Sequence, residues 1–462
     1  MKNEILYLSI CAGLLASCNS NETQQKPNVL FISIDDLNDW TGFLAGHPDA
    51  LTPNLDKLAS NSMVFSSAYC PSPACNPSRT SIMTGIRPST SGIYLNNQPW
   101  RESPVLQDIQ TIPQLFRDHG YSVMGSGKIF HDPFADPASW DEFWPSLQRQ
   151  RPDDPIPEGM PLNGLPDAGQ FDWGPIDYPK EEFGDWQVAD WVIEQINKDH
   201  QKPFFLACGF FRPHLPWHVP QEYFDKFPLD EISLPVVYEN DVDDIPEAGR
   251  RLIRFRDHER VIEHGQWKHA VQGYLASINF MDECLGRVIE ALENSKHWDN
   301  TIIVLWSDHG WNLGEKNHWR KFALWENTTR SVFMIRTPEN KKNGSVCSIP
   351  VNLLDIYPTL LELCELPAKS SNEGVSLVPL LESPDMDWGT ASISTHRQNQ
   401  HAIRLHNWRY IRYEDGSEEL YNHDNDPREW TNLASFPQYA NVKEEMKRHL
   451  PVINVDPVPF ER

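Results

Sequence analysis

Four stretches of the chain share one design, a short unbroken apolar run that ends in polar or charged residues. They are NVLFISIDD (28–36), YSVMGSGKIFH (121–131), PFFLACGFFRPH (203–214) and NTIIVLWSDHG (300–310). Short unbroken apolar runs predict strands buried on both faces of a parallel sheet. Between them, TIPQLFRDHG (111–120), closing on a glycine, and the stretches at 185–199 and 275–295 carry apolar residues at helical spacing. Strands alternating with helices predict an α/β fold, a sheet covered by helices on both sides. Two stretches rich in Pro, Trp and Asp, about 137–185 and 215–250, lack a period. They are too long for passive connectors and are expected to shape a pocket. Beyond EGVSLVPLLES (373–383) the pattern changes again. Residues 402–422 predict antiparallel strands around an Asp-Gly turn, with a last helix near 438–449. The expected division is a main domain over 28–389 and a small C-terminal subdomain with an antiparallel sheet over 390–462.

The N-terminus has its own pattern. Met1-Lys2-Asn3 precedes ILYLSICAGLLA (5–16), an apolar run too short to span a bilayer, and small residues then lead into Cys18. This resembles a bacterial lipoprotein signal, in which residues 1–17 are removed and Cys18 carries the lipid anchor; an ordinary secretory signal cleaved nearby is the alternative. Residues 18–27 then form a polar tether. The expectation is an exported protein, lipid-anchored in a Gram-negative envelope.

Composition narrows the function. The 462 residues are 39% hydrophobic, which suits a globular body, and carry a formal charge of −25. That charge argues against nucleic acid as a partner, and an anionic substrate would need cations gathered locally. Export permits disulfides. Of eight cysteines, Cys11 goes with the signal and Cys18 with the lipid. The other six form no C-x-x-C pair, which argues against zinc, and Cys208 reads as a small buried hydrophobe.

Ligands in open α/β sheets bind beyond the carboxyl ends of the strands. All four apolar runs end there in candidate chemistry: Asp35-Asp36, Lys128 with His131, His214, and Asp308-His309. The Asp pair alone reads as a helix cap with a solvated neighbour. With Asp308 it suggests an oxygen-rich cradle for a hard cation, Ca²⁺ or Mg²⁺. Arg79, Lys128, His131, His214 and Lys321 are each unremarkable alone; together they supply charge for hydrolysis at a phosphoryl or sulfuryl centre. Cys75, in PACNPSRTSIMTG (73–85), opens a predicted helix. Taken alone it is a disulfide half, a metal ligand, a buried apolar residue or a reactive centre.

Cys75-Asn76-Pro77-Ser78-Arg79, continuing to Thr84-Gly85, resembles the signature of the type I sulfatases, in which Cys-x-Pro-Ser-Arg directs oxidation of the cysteine to formylglycine. The resemblance extends over residues 28 to about 440. DDLNDW (35–40), GKIFH (127–131), RPHLPW (212–217) and SDHGWNLGE (307–315) are similar to the iduronate-2-sulfatase-like group. It implies an alkaline-phosphatase-like fold with a large, mostly parallel mixed sheet. It also implies one calcium ion held by Asp35, Asp36, Asp308, His309 and the modified Cys75. Arg79, Lys128 and His131 would support the formylglycine and the sulfate; His214 and Lys321 would face the ester, with His214 the general acid. His318 and Arg320 are rivals to Lys321. The implied substrate is a sulfated oligo- or polysaccharide, with uronate 2-O-sulfates of glycosaminoglycan or ulvan type foremost, and a maturation enzyme would install the formylglycine. An exo-acting pocket closed by the 137–185 loops is expected. Most of the 17 Trp are expected to pack, with Trp100, Trp173 and Trp217 the candidates for stacking on sugar. A phosphonate or phosphate monoester hydrolase, or an inactive glycan-binding lipoprotein, are the alternatives.

Overall fold

The computed structural model describes residues 26–338 and 340–460, so the expected signal peptide, Cys11 and Cys18 fall outside the described chain. Eight strands form the main sheet: β1 (Asn28–Ile34), β2 (Met63–Phe65), β3 (Ser122–Gly127), β4 (Glu142–Trp144), β5 (Phe204–Phe210), β6 (Thr301–Ser307), β7 (Phe333–Arg336) and β8 (Val346–Cys347). Their order is β8-β2-β7-β6-β1-β5-β3-β4. All neighbours run parallel except at β7, which is antiparallel to both β2 and β6. The four apolar runs are therefore the central strands β1, β3, β5 and β6. Along β1, Leu30, Ile32 and Ile34 enter one core while Val29 and Phe31 enter the other. Successive side chains point to opposite faces, and with both faces covered every position of β1 is buried.

Helices α1 (Cys75–Thr84) and α2 (Ile112–Asp118) pack on one face, and α3 (Gly184–Asn197) on the other. Beyond α3 come α4 (Phe255–Glu263) and the 27-residue α5 (Trp267–Glu293). α5 begins at Trp267 rather than near 275. Its first turns include Gly273, which weakens the apolar period, yet a Cβ there would lie 2.9 Å from Cβ of Trp173. The glycine is a close-packing point, not a helix end.

The two aperiodic stretches are partly ordered by the sheet. Glu142–Trp144 is edge strand β4, and Trp173–Ile176 pairs in parallel with Trp217–Pro220. This corrects the stacking expectation. Trp100, Trp173 and Trp217 are 2%, 2% and 0% exposed. Their indole N–H groups donate to Phe134 O, Gln266 Oε1 and Pro213 O, and Trp173 and Trp217 sit with ring centroids 5.6 Å apart. A buried indole contributes more through its large apolar area than it would at a wet surface.

After residue 390, β9 (Ser392–Thr395), β10 (His401–Leu405), β11 (Trp408–Arg412) and β12 (Glu418–Asn422) form an antiparallel sheet, followed by α6 (Ala440–Lys447). The Asp415-Gly416 turn joins β11 and β12, with Gly416 at φ 87°. A further tight turn at His406, φ 50°, separates β10 from β11; it lacks the glycine that signals such turns in sequence. The six cysteines outside the N-terminal region are all buried free thiols. Among the described residues no helix is long and apolar enough to cross a membrane.

Candidate active site

The register of the central strands levels their ends. Ile34 of β1 lies opposite Phe210 of β5 and Ser307 of β6, so Asp35-Asp36, the turn to His214 and Asp308-His309 all leave the sheet at one height. Lys128 arrives beside them because β3 closes on β5: Gly127 has φ 83°, and a Cβ on it would lie 1.9 Å from Gly209 O. Only glycine fits that approach. The turn to His214 is held by Asp185, which accepts N–H bonds from Phe211 (2.7 Å) and Arg212 (2.8 Å).

Cys75 is the first residue of α1 and fully buried. Its Sγ lies 2.8 Å from Lys321 Nζ and 3.4 Å from His309 Nε2. Lys321 also donates to Asp36 Oδ1 at 2.6 Å. Arg79, one helical turn beyond Cys75, spends its guanidinium on the floor of the site. Nε donates to Asp308 Oδ2 (2.9 Å), Nη2 to Asp35 Oδ1 (3.2 Å) and Nη1 to the carbonyls of Lys128 and Ile129. Lys128 Nζ pairs with Asp35 Oδ2. His214 is partly exposed, with Nε2 3.8 Å from Asp36 Oδ2 and Nδ1 2.6 Å from Leu215 O. Since a carbonyl can only accept, Nδ1 carries the proton and Nε2 is the free lone pair. His131 is half-buried, and its Nδ1 has no hydrogen-bond partner among the described residues. Nine of the ten candidate residues thus meet through direct contacts at one end of the sheet, and His131 lies near enough to Lys128 and Asp35 to feel their charges.

The sequence left His318 and Arg320 as rivals to Lys321. His318 instead donates through Nε2 to Lys321 O (2.9 Å) and accepts the Arg254 N–H at Nδ1 (3.1 Å), while Arg320 pairs with Asp257. Both shape the loop; Lys321 alone of the three reaches Cys75.

With this geometry the relatives are informative. The family model described as sulfatase matches residues 27–366, and that described as N-sulphoglucosamine sulphohydrolase, C-terminal, matches 314–456. A protein named sulfatase from Formosa agariphila is 41% identical, over 97% of this chain and 92% of its own. The chain belongs to the sulfatase family. Human iduronate 2-sulfatase is 28% identical over 95% of this chain and 83% of its own. A phosphonate monoester hydrolase of Agrobacterium radiobacter matches in structure with a TM-score of 0.72 and 22% identity, over 92% and 94% of the two chains. The fold is the alkaline-phosphatase-like sulfatase fold, and the protein is a sulfuric ester hydrolase.

Sulfatases generally use formylglycine and a divalent metal, and the donor set here fits a metal. One donor atom each from Asp36, Cys75, Asp308 and His309 lies within 4.8 Å of the others, as do atoms of Asp35, Asp36, Cys75 and His214. Asp36 Oδ2 is buried without a hydrogen-bond partner among the described residues, a costly state that a cation relieves. Burial, with Asp35 and Cys75 nearby, raises the Asp36 carboxyl to about 7 even against Lys321. Burial opposes a charge on Asp35 too, but Lys128, His214 and Arg79 hold it well below the usual carboxylate range. Burial works against a Cys75 thiolate, yet Lys321 and Lys128 bring the thiol below its ordinary value. Burial, then Lys128, depress His131 to about 3 and keep His214 well below its usual range.

Several supporting residues of this sulfatase site gave no signal in sequence. Tyr274, midway along α5, donates to Asp36 O (2.7 Å) and accepts the Asn38 N–H (3.0 Å). Ser78 Oγ donates to Asp308 O (2.6 Å), and Ser307 Oγ accepts from Leu37 N (3.1 Å). Tyr274 lies about 240 residues from Asp36 in the chain, and no periodicity reports such a contact. Ser78 is the exception: it belongs to the Cys-x-Pro-Ser-Arg motif and could have been found there.

Proposed function

We propose that this sulfatase removes sulfate esters from sulfated glycans, acting as an iduronate-2-sulfatase-like exo-enzyme on uronate 2-O-sulfates. The observation that carries the reading is the contact of Cys75 with Lys321 and His309 at the carboxylate cluster. Residues 75–79 supply the formylglycine motif, and likeness to iduronate 2-sulfatase over 95% of the chain supports the substrate class. The Cys75 side chain, here the unoxidised thiol, stands where formylglycine would be.

In the modified enzyme, formylglycine would supply a hydroxyl nucleophile that a serine or cysteine replaces poorly. A Ca²⁺ ion, which Asp35, Asp36, Asp308, His309 and residue 75 would hold, would supply positive charge at the sulfate oxygens. The chain's own residues do the rest. Arg79 fixes Asp35 and Asp308 in place, so neither carboxylate turns toward the substrate. Lys321 and Lys128 stabilise negative charge on residue 75 and on the sulfate. His214, a partly exposed imidazole beside Asp36, is the group to protonate the departing sugar oxygen. Its free Nε2 means that it takes up a proton with the anionic substrate rather than storing one beforehand. The protein would be exported and held to the envelope through Cys18.

The decisive experiment expresses the chain with a formylglycine-generating enzyme and measures the mass of the Cys75 peptide. It then assays 4-nitrophenyl sulfate and 4-nitrophenyl phosphate, with and without EDTA. The expected outcome is replacement of the thiol by an aldehyde, sulfate turnover well above phosphate turnover, loss on chelation and no turnover in Cys75→Ala. An unmodified thiol, or activity in Cys75→Ala, removes the mechanism; dominant phosphate turnover favours the phosphate hydrolase reading.

A further inference from the structure

Beside the site stands a short strained segment. Arg320 and Phe322 both adopt positive φ, 74° and 76°. For large side chains this is an unfavourable backbone held by its surroundings, and such strain gathers at ligand sites. The result is that Lys321 points into the cleft floor while Phe322 stays half-buried at its edge, its N–H bonded to Pro73 O two residues from Cys75.

Phe322 lies near two cations. Lys321 Nζ lies 5.9 Å from the ring centroid and the Arg254 guanidinium carbon 5.5 Å from it. Arg254 is not placed there loosely, because neutral His318 ties its backbone N–H to the Lys321 carbonyl. Its side chain is exposed, and among the described residues no carboxylate lies within ion-pair distance. Arg397 is likewise exposed and unpaired among the described residues. It sits in the β9–β10 turn, next to His396, whose ring centroid is 6.2 Å from that of Phe322. In a chain with 65 acidic and 40 basic residues, two exposed arginines without an ion pair among the described residues, one near Phe322 and one next to His396, are conspicuous.

We propose that Arg254, assisted by Arg397, forms a second anion subsite beside Phe322, and that it takes the carboxylate of a sulfated uronate. On a pyranose ring C2 and C5 stand opposite each other, so a 2-O-sulfate and the C5 carboxylate leave from opposite edges. A substrate with anions on opposite edges calls for a second cation apart from the one at Cys75, and a guanidinium fork suits a carboxylate. This inference rests on the sulfate-ester chemistry at Cys75.

The test compares kcat/KM for 4-methylumbelliferyl α-L-iduronide 2-sulfate with that for its carboxyl-reduced counterpart, using matured enzyme. Wild type should prefer the carboxylate form by about tenfold or more. In Arg254→Gln that ratio should collapse toward one, with Arg254→Lys intermediate and Arg397→Gln showing a smaller fall. A ratio cancels any loss of folded or matured enzyme. Equal turnover of both substrates by wild type, or an unchanged ratio in Arg254→Gln, overturns the subsite and leaves the sulfatase reading standing. If 4-nitrophenyl sulfate is turned over but neither iduronide is, the uronate assignment fails and the subsite with it.

Discussion

At the scale of single residues, the site is governed by how buried charges are compensated. Arg79 is fully buried and answers two carboxylates from two different strands. Removing one member of a buried ion pair leaves its partners uncompensated, at a cost of about 3–5 kcal/mol. Arg79→Ala should therefore lower stability by that order, read from urea unfolding of matured and unmatured protein alike. Stability equal to wild type would mean that Asp35 and Asp308 are held by something other than Arg79. Cys75 differs in kind, since it is small and its contacts are chemical rather than packing contacts. That difference was legible in sequence only through the Cys-x-Pro-Ser-Arg motif. Neither burial nor spacing distinguishes Cys75 from Cys70 or Cys208, which are equally buried.

At the scale of elements, the sequence predicted the four central strands and the three main helices, because unbroken apolar runs and 3.6-residue spacing are local signals. It did not predict the edge strands of the main sheet, the early start of α5 or the His406 turn, which depend on neighbours distant in the chain. The approach of β3 to β5 is one such dependence and can be tested. Gly127→Ala puts a methyl group against Gly209 O, whereas Gly120→Ala, at φ 91°, meets nothing within 4 Å. The first should yield little folded protein, and the second only a modest fall in Tm; equal falls would refute the packing argument. A second test concerns α6. Glu418 on β12 accepts from Tyr410 (2.7 Å), Lys443 (2.9 Å) and Lys447 (2.9 Å). Partial burial opposes its charge, but these bonds prevail and lower its pKa to about 2. A carboxylate lowered on folding stabilises above its ordinary pKa near 4.5 and loses that contribution as pH falls toward 2. Glu418→Gln should melt below wild type at pH 7, and the gap should close between about pH 4.5 and 2. A gap that stays constant with pH would assign the loss to packing.

At the scale of the whole molecule, the C-terminal sheet is wired to the loop that carries Lys321. Arg409 on β11 is buried between Glu326 and Glu429, with Glu429 Oε1 2.6 Å from its Nε. Glu429 in turn accepts the Glu326 N–H at 2.9 Å, and its carbonyl accepts from Lys316 Nζ at 2.5 Å. Lys316 begins the strained stretch that ends at Phe322. Arg409→Gln should therefore cost about 3–5 kcal/mol of stability and also lower kcat on 4-nitrophenyl sulfate. A variant with lowered Tm but unaltered kcat would sever the link between the sheet and Lys321. The sequence by itself determined the α/β class, the central strands and the polar clusters at their ends, because apolar period and strand-end position are written in adjacent residues. Through a short motif it also singled out Cys75 and Arg79. Only the tertiary structure showed His318 and Arg320 held away from Cys75, buried Trp100, Trp173 and Trp217 in the core, and set Arg254 beside Phe322. Each of those outcomes turns on which distant side chains fill the space and answer the charge.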